Sequence, residues 1–210
     1  MAITGLIGIG FVILHIAGNL RAFVGRDNLN SYSALLHGPG AELLWVVRVI
    51  LIVAVVLHVL MAIQLTQRAR AARPVGYHER EPQISTLSSR TMRWGGFLIL
   101  VFIVFHLLHF TTRQVDPAQW ANRMDVKGRY DIYGNVVASF RLWWVSAFYL
   151  VAMIALGLHL WHGVWSSGRT LGVAKPAGHP MRRRVAPILA AIVWLGFSIV
   201  PIAVLIGIIR

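Results

Sequence analysis

Five stretches of this 210-residue chain are apolar over about the 20 residues a helix needs to cross a bilayer, and polar residues collect between them. They run approximately over Ile3–Phe23, Leu43–Thr66, Trp94–Thr111, Leu142–Trp165 and Val185–Ile209. The pattern predicts an all-α polytopic membrane protein: five transmembrane helices in one domain spanning residues 1–210. The first run starts at Ile3 with no basic residue before it, unlike a cleaved signal peptide, and reads as a retained span. Pro187 falls in the first turn of the fifth run, where a helix tolerates it, whereas Pro201 is expected to bend that helix internally. No internal repeat or low-complexity tract interrupts the pattern.

Charge sharpens this picture. Only 13% of residues are charged, and the net charge of +13 comes almost wholly from short connectors beside the spans. Lys and Arg so placed set orientation and meet anionic lipid, so the basic balance points to membrane lipid and not to nucleic acid. The second and fourth connectors, on the N-terminal side, carry eleven Lys/Arg against seven in the first and third. The positive-inside rule therefore places the N-terminus in the cytoplasm. Trp45, Trp94, Trp143, Trp144 and Trp165 are expected in interfacial belts. The chain has no cysteine, which excludes disulfides, thiolate catalysis, cysteine-ligated iron–sulfur clusters and C-x-x-C-H haem attachment within it.

The candidate chemistry is four histidines, each deep inside a different span: His15, His58, His106 and His159. An imidazole in hydrocarbon is costly unless satisfied, so such residues are functional candidates by default. Helix rise puts His15 and His106 roughly 18 Å from the N-terminal edge. Because the intervening spans run the other way, His58 and His159 fall within about 10 Å of it, in a core about 30 Å thick. The expectation is two pairs, His15 with His106 and His58 with His159, on levels separated by roughly 10 Å. Facing imidazoles on separate helices suit bis-axial ligation of haem iron, so two pairs predict a haem-binding four-helix core with two haem b. The plainer alternative is that each histidine bonds to a neighbouring helix. A zinc or di-iron site is disfavoured by the lack of intramembrane carboxylates. His109 and His162 follow two of these histidines by three residues and are alternative ligands, while His37, His78 and His179 fall in connectors. Gly8, Gly18, Gly95, Gly96, Gly157 and Gly163 offer close approach to a flat macrocycle or ordinary helix packing. Arg21, Arg90, Arg93, Arg141, Arg169 and Arg184 stand near span ends, where propionates would seek cations or lipid would be met.

His15-Ile16-Ala17-Gly18-Asn19-Leu20 with Gly25 and Asn30-Ser31-Tyr32 resembles the first span and loop of the dihaem cytochrome b anchor of succinate dehydrogenase and fumarate reductase. Phe105-His106-Leu107-Leu108-His109-Phe110 and His159-x-x-x-Gly163-x-Trp165 resemble its third and fourth spans. The likeness covers nearly the whole chain, and the order and placement of the motifs carry it. One departure is the absence of the basic stretch that relatives often have before the first span.

The resemblance implies His15 and His106 as axial ligands of a distal haem, and His58 and His159 as those of a proximal one. It implies the bacterial cytoplasmic membrane, with a flavoprotein subunit and an iron–sulfur subunit on the cytoplasmic face. Electrons would pass between their clusters and a membrane quinone, menaquinone by expectation, in a respiratory complex II of the tricarboxylic acid cycle. The dicarboxylate step would belong to the partners, leaving this chain no catalytic residue of its own for it. Candidate quinone contacts on the outer side are Arg21, Asn30, Tyr32, His37 and Glu42. Two other functions compete: the cytochrome b subunit of a hydrogenase or formate dehydrogenase, and a haem-free anchor or transporter.

Overall fold

The computed structural model describes residues 1–72, 86–173 and 180–210, with the side chains of the last segment described from residue 184. His78, His179, Arg73 and Arg80 lie outside the described residues, as do the side chains of Arg182 and Arg183. Among the described residues the regular elements are all helices: α1 (Ala2–Asn19), α2 (Arg26–His37), α3 (Ala41–Ala71), α4 (Leu87–His106), α5 (Ile132–Arg141), α6 (Trp143–Thr170) and α7 (Pro180–Leu205). A 3-10 turn over Leu20–Phe23 ends α1, and a π-helical turn over Leu107–Thr111 ends α4. Five of these helices are long and apolar enough to cross a membrane: Ala2–Phe23, Ala41–Ala71, Leu87–Thr111, Trp143–Thr170 and Arg184–Leu205.

The spans sit where the apolar runs predict, but several run further. The third starts seven residues earlier, at Leu87, because Thr86 caps it: the Thr86 hydroxyl accepts from the Ser89 amide at 3.3 Å. Two connectors read from the sequence as polar loops contain helices. α2 follows Gly25, whose φ of +119° only glycine adopts without strain, and carries Asp27 in its first turn. α5 is capped by Asp131, whose carboxylate accepts from the Gly134 amide at 3.1 Å. These two short helices pack on each other, and Tyr133 of α5 donates to the Arg210 carbonyl at 2.9 Å. They form, with the loop between α4 and α5, a polar cap over one end of the bundle.

Packing is uneven. α6 is the central helix, set against α1, α4, α5 and α7. Near the cap, Tyr133, Val137, Phe140, Val145, Tyr149, Val200 and Val204 form one apolar core, joined by Phe102, Phe105 and Phe110. Further down, Ile16, Leu160, Ala190 and Val193 form a second, where Gly196 of α7 admits Ile16 so closely that a Cβ would lie 2.9 Å from it. By contrast α3 packs against α1 and α2, and among its 31 residues only Ala54 is buried. Pro187 and Pro201 both lie within α7.

Candidate functional site

The structure brings the four span histidines together two by two. His15 of α1 and His106 of α4 have ring centroids 5.8 Å apart, with their planes nearly perpendicular. His58 of α3 and His159 of α6 stand 6.2 Å apart. All four are half-buried. Two imidazoles on either side of one metal ion, each nitrogen about 2 Å from it, present centroids roughly 6 Å apart. Both pairs therefore have the spacing of opposed axial ligands. Among the described residues there is no group of three or more His, Asp or Glu side chains that could hold a metal ion together, so each pair stands as a pair.

Two glycines border the His58–His159 pair. A Cβ on Gly5 of α1 would lie 3.6 Å from the His58 ring, and one on Gly96 of α4 would lie 3.6 Å from the His159 ring. Both are ordinary contact distances, so each glycine marks where its helix passes beside an imidazole of this level. In both helices the histidine of the second level follows ten residues later, as His15 and as His106. Ten residues of helix rise about 15 Å, so the two levels are further apart than the roughly 10 Å expected from segment boundaries. Of the other glycines singled out in the sequence, Gly8 and Gly163 face open space, Gly18 touches Tyr32, Gly95 approaches the Ala155 carbonyl and Gly157 touches Trp194.

Hydrogen bonding separates ligand candidates from structural histidines. His109 is wholly buried, and both its ring nitrogens are engaged: Nδ1 lies 3.0 Å from the Tyr149 hydroxyl and Nε2 lies 2.9 Å from Ser139 Oγ. It has no lone pair left for a metal. The π-helical turn puts it there, closed by a Thr112 amide to Leu107 carbonyl bond of 2.8 Å, five residues apart. His106, three residues earlier, has only Nδ1 engaged, at 3.3 Å from the same hydroxyl. In the other pair, Thr4 Oγ1 sits 3.1 Å from His58 Nδ1 and donates its own proton to the Met1 carbonyl at 2.9 Å. The threonine oxygen can then only accept, so His58 carries its proton on Nδ1 and its lone pair on Nε2. His159 Nδ1 is buried without a hydrogen-bond partner, a costly state for a polar atom. His162 lies on the same helix as His159 but forms no ring pair with His58.

The cap end carries a shallow cleft of about 470 Å³ lined by Arg21, Val24, Asp27, Asn28, Ser31, Tyr32 and Leu35. Arg21 lies over the Tyr32 ring, 4.6 Å from its centroid, and donates to Asn28 Oδ1 at 3.0 Å. Two of the predicted outer-side contacts, Arg21 and Tyr32, therefore share this cleft. The other three do not line it. Asn30 lies away from the cleft: its side chain is fully buried, donating to Asp125 at 3.1 Å and Asp131 at 3.0 Å while its oxygen accepts from the Tyr133 amide at 2.9 Å. With both amide hydrogens and its oxygen engaged, it ties the cap together. His37 Nδ1 is engaged with the Ser33 carbonyl at 2.9 Å, and Glu42 is exposed in the first turn of α3.

The cap itself is an ionic lattice that sequence reading missed. Asp131 accepts from Arg26 at 2.8 Å and from the Trp120 indole at 3.2 Å, as well as from Asn30 and Gly134. Arg129 binds Asp125 at 2.6 Å and Asp27 at 2.8 Å, and Lys127 also binds Asp27 at 2.7 Å. The Arg129 hydrogen bond holds the Asp125 carboxyl well below its usual range, and Lys127 and then Arg129 lower Asp27. Asp125 raises Arg129 in turn. No protein-family model, curated protein or solved structure matches this chain. What the fold and site define directly is a multi-pass α-helical membrane protein holding two opposed histidine pairs on separate levels.

Proposed function

We propose that this chain is the membrane-anchor cytochrome b of a succinate:quinone oxidoreductase, carrying electrons between partner iron–sulfur clusters and a membrane quinone through two b haems. The observation that carries the reading is the double pairing of imidazoles, at 5.8 Å and 6.2 Å, from four different helices. Three features fit a porphyrin between them: the free Nε2 of His58, the orphaned buried Nδ1 of His159, and Gly5 and Gly96 beside the rings. His15 and His106 would hold one haem, and His58 and His159 the other. A bound haem would supply a one-electron ferric–ferrous couple; the chain would set its position and electron affinity through the four histidines, their hydrogen bonds and burial.

The assignment to succinate and quinone rests on the resemblance of the motifs around His15, His106 and His159. On this reading the N-terminus is cytoplasmic, the His58–His159 level faces the flavoprotein and iron–sulfur subunits, and the His15–His106 level faces the cap. Menaquinone is the expected electron carrier, with the Arg21–Tyr32 cleft as its contact. Arg21 would polarise a quinone carbonyl there and Tyr32 would stack on its ring. Moving an electron between the two levels couples to the membrane potential, at about 2.3 kcal/mol per charge per 100 mV.

The test is a redox titration of the purified complex, followed by optical spectroscopy with succinate and quinol analogues. Two b-type haems, one reducible by succinate through a co-purifying flavoprotein, are the expected result. A colourless preparation overturns the haem assignment. A haem protein that co-purifies with a hydrogenase or formate dehydrogenase overturns the partner assignment alone.

A further inference from the structure

Tyr149 and His109 form a buried polar chain that the assignment of ligands leaves unused. We propose that these two are positioning residues, which fix the tautomer of His106 and thereby tune the centre that His106 ligates. The inference rests on the haem reading above and concerns residues that touch neither haem nor quinone in it.

Proton accounting gives the direction of the chain. Ser139 donates its only proton to Asn135 Oδ1 at 3.1 Å, so its oxygen must accept from His109 Nε2 at 2.9 Å. A neutral imidazole that donates from Nε2 accepts at Nδ1, so the Tyr149 hydroxyl donates to His109 at 3.0 Å. That uses the single phenol proton. The Tyr149 oxygen can then only accept, and the group 3.3 Å away is His106 Nδ1, which must carry hydrogen. His106 is left with its lone pair on Nε2, which has no hydrogen-bond partner among the described residues. Asn135, at the far end, sits on α5 with its amide bonded to the Asp131 carbonyl at 3.0 Å, so the chain is tied to the cap.

Burial makes the arrangement hard to reverse. His109, Ser139 and Asn135 are at most 1% exposed and Tyr149 is 6% exposed, so water does not compete for these bonds. Phe102, Phe105, Phe110 and Phe140 all contact the Tyr149 ring and hold its hydroxyl in place. A ligand imidazole that donates from Nδ1 is more basic at Nε2 and favours the oxidised metal. Losing that acceptor therefore raises the reduction potential of the same centre.

The experiment is Tyr149→Phe and, separately, Ser139→Ala in the full chain purified with its partners. The readouts are haem content, the two midpoint potentials and the ferric low-spin resonances. Tyr149→Phe is expected to keep both haems and to raise the potential of the one that is lost in His106→Ala. The expected size is about a tenfold change in the ferric–ferrous equilibrium, or about 59 mV for one electron. The other haem stays within error. Ser139→Ala acts two hydrogen bonds further along the chain and shifts the same haem in the same direction by less. If Tyr149→Phe loses haem, the Ser139→Ala shift decides. Unchanged potentials and resonances with haem retained, or a shift of the other haem alone, overturn the proposal while leaving the haem reading intact. Absence of haem from the unsubstituted protein removes that reading first.

Discussion

The imidazoles of His58 and His159 face each other at 6.2 Å although the helices that carry them, α3 and α6, are not closely packed on each other. The same holds for His15 and His106, on α1 and α4. Side chains that meet where backbones stay apart leave a slot between helices. Both slots are bordered by imidazoles, and the lower one by a glycine on each side.

Replacing one member of a pair is expected to empty that slot alone. His58→Ala or His159→Ala removes one of two b-type signals in a reduced-minus-oxidised spectrum, and His15→Ala or His106→Ala removes the other. A His109→Gln protein keeps both, since His109 already spends its nitrogens on Tyr149 and Ser139.

Gly96 provides a graded test of the slot. A methyl at this position makes ordinary contact with the His159 ring at 3.6 Å, so Gly96→Ala is tolerated. Gly96→Leu extends into the slot and lowers occupancy of the His58–His159 haem several-fold, while the second haem is unaffected. Pigment content per protein, resolved by potential, measures it.

Asn30→Ala is expected to loosen the cap without touching the histidines. It strands the Tyr133 amide and removes a donor from two carboxylates, each buried group costing about 1–3 kcal/mol. Thermal unfolding in detergent should shift down, with haem potentials unchanged in the surviving folded fraction. Gly134→Ala acts at the same place, because a Cβ there collides with the Asp131 carboxylate and the Trp120 indole; overpacking of this kind costs about 1–3 kcal/mol.

Acid should open the cap. Asp27 and Asp125 are held below the ordinary value of 3.8 by Lys127 and Arg129, so they bind protons more weakly folded than unfolded. Their contribution is complete above that value and falls away as pH drops through the depressed one. Hydrogen exchange over residues 112–141 should therefore stay constant from neutral pH down to about pH 4 after correction for the intrinsic rate. Below that, protection should decline there before it declines in α6 and α7.

The spans and the histidine pairing were legible because both depend on periodic, short-range quantities. Apolar run length sets the helices, and alternating direction sets which histidines share a level. The roughly 10 Å estimate of level separation fell short of about 15 Å because it measured from the edges of apolar runs, which the helices overrun. Gly5 and Gly96, each ten residues before a histidine, held the better ruler. α2 and α5 escaped notice since each is short and held by tertiary contacts, α5 against α2, α6 and α7. Asn30 looked like a pocket residue because nothing local reveals that Asp125, Asp131 and Tyr133 surround it. His109 is the same case: only Ser139, thirty residues away, occupies its second nitrogen and distinguishes it from His106.

The bare flank of α3 bears on biogenesis. Thirty of its 31 residues are not buried, and among the described residues it packs mainly on α1 and α2. Four spans can dock through their own side chains, but this one has little to grip on its His58 side. On the proposed reading, pigment delivery and the seating of α3 become a single event, with the prosthetic group acting as mortar. Cells starved of haem would then yield a four-span bundle with a loose fifth member exposed to quality-control proteases.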